Sequence, residues 1–194
     1  NQVKIWEKFV KENGKYFDFI ILASRWNYIF NHEKYENNYY RKDALVNNKV
    51  VFNNNDKILL ESRQNFKLGL KNTIKIINKS GSKAIIFSQP PLLKRNPIRC
   101  MGISELSYSI CANANYKNIL NRGLFVKRTI LNENLLDNKK NFYLILENYL
   151  CNHNKKSCFS KKNNKLLYKD DDHLSYEGVY FISKEWEGKP DFPF

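Results

Sequence analysis

The sequence predicts an α/β fold built on a parallel sheet. Three apolar runs, "YFDFIILAS", "KAIIFSQPP" and "NFYLILENYL", are short and nearly continuous rather than alternating. Strands covered on both faces, as in a parallel sheet between helices, carry that pattern. Segments with apolar residues at helical spacing stand around and between the runs. The resulting order, helix–strand–helix–strand–helix–strand–helix, is that of an α/β layered domain.

In chain order, "VKIWEKFVKENGK" sets Val3, Trp6, Phe9 and Val10 on one helical face and stops at Asn13-Gly14. "YFDFIILAS" follows as the first strand. Residues 31–57 are polar and turn-rich, a long excursion with room for a small hairpin at "KVVF". The next helix is marked by Phe66, Leu70, Ile74 and Ile77 and is closed by Gly81. "KAIIFSQPP" is the second strand, ended by Pro90-Pro91 because proline has no N–H to give a ladder. A weaker helical pattern covers about residues 115–137, and "NFYLILENYL" is the third strand. "SYEGVYFISKEW" reads as the last helix, with Ser175 as N-cap and Glu177 in the first turn, where the helix dipole favours an acid. No repeat divides the chain, and residues 1–194 read as a single domain. In an open parallel sheet, chemistry gathers beyond the carboxyl ends of the strands. "ASRWN", "SQPPL" and "DDDHLS" are therefore expected on one edge.

With 42% hydrophobic and 14% aromatic residues, the composition is that of a globular domain and excludes a disordered chain. No apolar run approaches the ~20 residues that a membrane-spanning helix needs. Lys and Arg number 33 against 19 Asp and Glu, a net charge of +14 that would suit an anionic partner. The cations are spread along the chain, however, and no zinc-finger, helix-turn-helix or aromatic-platform motif accompanies them, so nucleic acid is not an expected partner. The first residues, "NQVKIWEKF", already lie inside a helical pattern and follow no initiator Met or signal peptide, so a longer parent protein is expected.

Four cysteines, Cys100, Cys111, Cys151 and Cys158, form two sequence-local pairs. An even count so arranged suits two disulfides and an oxidising compartment. The loop "CNHNKKSC" also admits zinc through Cys151, His153 and Cys158, although its spacing matches no common finger.

The densest chemistry stands in "LLYKDDDHLSYEG", residues 166–178. An Asp three residues before a His, on a tight turn, can set its carboxylate on imidazole Nδ1, which fixes the tautomer and leaves Nε2 to take a proton from a nucleophile. Asp170 stands at that offset from His173. Two other readings exist on residue types alone. The run could be a solvated acidic turn before the last helix, or Asp170 and Asp172 could form a metal-holding D-x-D.

"YKDDDHLSYEG" resembles the last block of the SGNH hydrolase superfamily, in the form fused to membrane acyltransferase-3 proteins that O-acetylate bacterial surface polysaccharides. That block reads Tyr-x-Asp-x-x-His-Leu-Ser-x-x-Gly, and Tyr168, Asp170, His173, Leu174, Ser175 and Gly178 fall in place. "DFIILASRW" is similar to the group's third block, "KAIIFSQPP" to its following strand, and "LENYLCNHNKKSC" to the Cys pair before the final block. The resemblance covers about residues 16–183. It implies an SGNH, flavodoxin-like, three-layer α/β/α fold with a parallel sheet, lacking the first strand or strands that carry the nucleophile.

The same resemblance implies a Ser-His-Asp mechanism in which His173 is the base, Asp170 orients it, and Arg25 and Trp26 are candidates for holding the oxyanion and walling the acyl pocket. The family's Gly-Asp-Ser block is absent from residues 1–194, so the nucleophile is expected upstream and this chain alone is expected to be inactive. Ser24, Ser88 and Ser175 are the weaker substitutes. Asp171 and Asp172 are expected to face solvent or cap the last helix. The implied activity is acetyl transfer to a bacterial surface polysaccharide, with ester hydrolysis or non-catalytic glycan binding as alternatives. No cofactor or metal is implied; the acetyl donor would come from a fused membrane acyltransferase domain, on the periplasmic or extracytoplasmic side of the cytoplasmic membrane.

Overall fold

The computed structural model of the protein describes residues 2–24, 26, 43–46, 49–52, 56–116, 124–132, 134–136 and 141–189. The chain forms two compact units, one of Asn1–Phe87 with Gly123–Leu144 and one of Ser88–Arg122 with Ile145–Phe194. The first unit opens with α1 (Gln2–Asn13), β1 (Phe19–Leu22), β2 (Asp43–Val46), β3 (Lys49–Phe52), α2 (Asp56–Lys79) and β4 (Lys83–Phe87). The second then supplies α3 (Glu105–Ala112) and β5 (Ala114–Asn115). The chain returns to the first unit for α4 (Leu124–Asn132) and β6 (Phe142–Leu144). It ends in the second with α5 (Glu147–Leu150), β7 (Cys151–Asn152), β8 (Ser157–Cys158), β9 (Lys161–Lys162), β10 (Lys165–Leu166) and α6 (Tyr176–Trp186).

In the first unit the three expected strands pair as a parallel sheet in the order β1-β4-β6. Ala84 and Ile86 of β4 share one buried cluster with Val10 of α1, Phe66, Leu70, Ile74 and Ile77 of α2, and Val126 and Ile130 of α4. The helical spacing read in the sequence is thus the face that meets the sheet. Ile85 points the other way from its neighbours and is also fully buried, so β4 is apolar on both faces, as its continuous pattern requires. Asn141 fixes the start of β6: its Oδ1 accepts from the Ala84 amide at 2.8 Å and its Nδ2 donates to the Leu135 carbonyl at 3.1 Å. Gly81, at φ +96°, lets the chain leave α2 in the left-handed region that favours glycine.

Three expectations need correction. The first strand is not covered on both faces: Ile21 is 56% exposed, and among the described residues β1 is an outer strand of the sheet. Phe9 does not share the inward face of α1 with Val10; it is half-exposed and lies against Phe17, with ring centroids 6.4 Å apart. The third strand is shorter than "NFYLILENYL", because the chain turns into α5 after Leu144. Beyond it, the Leu146 amide donates to Ser88 Oγ at 2.8 Å. The small hairpin expected at "KVVF" is the antiparallel pair β2-β3.

The second unit is built differently. A small antiparallel sheet runs in the order β5-β8-β7, and a two-residue hairpin pairs β9 with β10. Cys151 and Cys158 are register partners across β7-β8 and are disulfide-bonded; Cys100 is bonded to Cys111. With both sulfurs of the first pair in one bond, neither is a thiolate for zinc, and His153 Nδ1 instead meets the Tyr116 hydroxyl. Helix α3 carries Tyr108 inward, where its hydroxyl meets Ser160 Oγ at 3.0 Å in a buried contact.

Candidate active site

The segment from Tyr168 to Gly178 is a closed loop running into α6. Tyr168 and Leu174 form an antiparallel bridge, and the Lys169 amide donates to the His173 carbonyl at 3.0 Å. Below the bridge, the Ser175 amide donates to the Leu167 carbonyl at 2.9 Å and Ser175 Oγ donates to the Leu166 carbonyl at 2.6 Å. Ser175 is also the N-cap, accepting from the Gly178 amide at 3.0 Å, so it fills the capping role expected of it. Gly178 has no room for a side chain, since a Cβ there would lie 2.0 Å from the Leu167 carbonyl oxygen. Tyr168 anchors the loop from beneath. Its buried hydroxyl donates to the Pro91 carbonyl at 3.0 Å, and burial, with a smaller contribution from the Glu147 carboxylate, pushes the phenol well above its ordinary range. The Leu93 amide donates to the Asp171 carbonyl at 2.8 Å. Pro91 of "SQPPL" and Leu93 just after it thus hold the loop that carries "DDDHLS".

Within this loop Asp170 holds both backbone and ring. Its Oδ1 accepts from the amides of Asp172 at 3.1 Å and His173 at 2.7 Å. Its two oxygens lie 3.0 and 2.9 Å from His173 Nδ1. The backbone bonds fix the turn, and the turn delivers the imidazole to the same carboxylate. Asp171 is exposed, as expected. Asp172 is not, and it does not cap the last helix, because Ser175 does. Its Oδ1 stands 2.8 Å from His173 Nδ1 with the Asp172 side chain 5% exposed, against 34% for Asp170 and 52% for His173. The tight turn sends alternate carboxylates toward the ring, a direction that the spacing along the chain does not encode. Atoms of Asp170, Asp172 and His173 lie within 4.8 Å of one another, close enough to gather around a cation.

The other candidate residues fall as follows. Trp26 is partly buried against the first unit's core, edge-on to Phe66 at 5.9 Å, and its indole N–H donates to the Phe87 carbonyl at 2.6 Å, where β4 ends. Arg25 lies outside the described residues. Ser88 is buried; its hydroxyl donates to Glu147 Oε2 at 2.8 Å while accepting from the Leu146 amide. With Ser175 also committed at both its donor and its acceptor, neither hydroxyl proton is at hand for attack. Ser24 is exposed.

A parallel sheet faced by helices, and a loop that presents a carboxylate to a histidine Nδ1, define a hydrolase-like α/β domain. A family model described as "SGNH domain (fused to AT3 domains)" matches residues 1–188, and the chain belongs to that family. The fold is accordingly α/β with the three-layer α/β/α architecture, and the domain is an acyltransferase-associated, hydrolase-like one. Comparison with curated proteins and with solved structures found no match. Among the described residues, no helix is long and apolar enough to cross a membrane.

Proposed function

We propose that this domain carries the acid–base half of an O-acetyltransferase that modifies a bacterial surface polysaccharide on the extracytoplasmic side of the membrane. The observation behind this reading is the Asp170 carboxylate set within 3.0 Å of His173 Nδ1 by a turn that its own oxygen builds. With Nδ1 so engaged, Nε2 is the ring atom left to act as base, and the half-exposed side chain gives it access to a reactant.

In the proposed cycle, a seryl Oγ of a Gly-Asp-Ser block in the intact protein attacks the carbonyl of an acetyl donor supplied through the AT3 domain. Its proton passes to His173 Nε2, and the leaving group takes that proton as the tetrahedral intermediate collapses to acetyl-Ser. A sugar hydroxyl then gives its proton to Nε2 and attacks the acetyl-Ser carbonyl. The ester of the sugar forms and the serine is regenerated with the proton returned to it. Asp170 stabilises the imidazolium at each stage, and Arg25 is assigned to the oxyanion. Water in place of the sugar gives hydrolysis by the same steps.

The test is incubation of the intact protein with a small acetyl ester and a surface-polysaccharide acceptor. Acetylated glycan is the expected product. Free acetate alone would convert the reading to an esterase, and no acetyl turnover in a folded intact protein would overturn it.

A further inference from the structure

A second carboxylate approaches the same ring nitrogen, and it is the drier of the two. Asp172 Oδ1 is 2.8 Å from His173 Nδ1, marginally nearer than either oxygen of Asp170, and its side chain is almost fully buried while that of Asp170 is one-third exposed. Both oxygens of Asp170 lie within hydrogen-bond distance of the ring, and one of them also accepts two backbone amides. Asp172 approaches the same Nδ1 with its side chain largely out of water. Coulomb attraction between opposite charges grows as water is removed from around them.

We propose that Asp172 is a second positioning residue for His173, supplying the charge that stabilises the imidazolium while Asp170 supplies the hydrogen bonds that fix tautomer and turn. This rests on the reading of His173 as the base of acetyl transfer. It differs from a one-carboxylate triad in a definite way. When Nε2 takes a proton in the transition state, the positive charge that appears on the ring is met by two carboxylates, Asp170 and Asp172, both on the loop that carries the ring. Before that step the ring is neutral, and the attraction of Asp172 is small. Its effect is therefore exerted on the chemical step and not on substrate binding.

The experiment uses the intact protein carrying Asp172→Asn, Asp170→Asn, both together, or His173→Ala. Asp172→Asn keeps the shape of the side chain, and kcat is expected to fall about 10- to 100-fold with KM within twofold, as for loss of an interaction made only in the transition state. The double variant should fall below either single one.

Wild-type kcat in Asp172→Asn, with His173→Ala inactive, would overturn the inference and leave the triad standing. A rise in KM as large as the fall in kcat would overturn it too, by marking Asp172 as a residue that shapes the site and does not act in the transition state. Full activity in His173→Ala would instead remove the triad reading on which the inference rests. Should Asp172→Asn alter the circular dichroism spectrum, Asp172→Ser, which leaves space for water, takes its place, and the same changes in kcat and KM support or overturn the inference.

Discussion

Gly178 shows how the final block is constrained by packing as much as by chemistry. Its α-carbon faces the Leu167 carbonyl, and that oxygen also accepts the Ser175 amide, so the carbonyl cannot retreat without losing the bond that holds the N-cap of α6. Gly178→Ala is expected to destabilise the domain by about 2–3 kcal/mol, the range of a forced overpacking, which urea denaturation would measure. Tyr168 offers a test in pH. Its phenol is held neutral by burial, so the folded-state value lies above the unfolded value of about 10. The stabilisation is complete below about pH 10 and is lost as pH rises from there through the folded value. Denaturation midpoints should thus drop above about pH 10 in the wild type. The drop should shrink in Tyr168→Phe, which at neutral pH loses about 1–2 kcal/mol with the bond to Pro91. At this scale the sequence made Asp170, His173 and Ser175 legible, because their offsets are set by one turn and one cap. Asp172 was hidden because inward and outward acids alternate within a loop of three, and only the fold of the loop separates them.

At the level of elements, the parallel sheet was readable because uninterrupted apolar runs between helical patterns have few other destinations in a chain this size. The second unit was not. Strands of two residues have no periodicity to detect, and "ELSYSICA" hides α3 by exposing Leu106 and Ile110 while Tyr108 and Ala112 turn inward. These short elements are pinned by covalent bonds instead. The Cys151–Cys158 and Cys100–Cys111 bridges close loops of 7 and 11 residues' separation. On chain-entropy grounds each contributes about 2–3 kcal/mol by restricting the unfolded chain. Replacing Cys151 and Cys158 together by serine should lower stability by that amount, read as a shift in the urea midpoint. The first unit, whose core of Ile77, Ala84, Ile86 and Ile130 contains neither bridge, should keep its far-ultraviolet helical signal at lower urea concentrations.

For the whole molecule, the proposal joins the family assignment to the loop geometry. The match over residues 1–188 associates the domain with membrane acyltransferases. The loop contributes a histidine braced by Asp170 at Nδ1, whose outer nitrogen is the base in the proposed cycle. A divalent-metal reading of Asp170, Asp172 and His173 makes a different demand, since activity would then follow the ion. One measurement separates these readings: the steady-state rate of acetyl transfer by the intact protein, as wild type and as His173→Ala, each before and after dialysis against a chelator. The triad account predicts a rate lowered by about 10³-fold or more in His173→Ala and unchanged by the chelator in the wild type. A His173→Ala enzyme within tenfold of wild type, or a wild-type rate that vanishes with the metal and returns when it is restored, would contradict it.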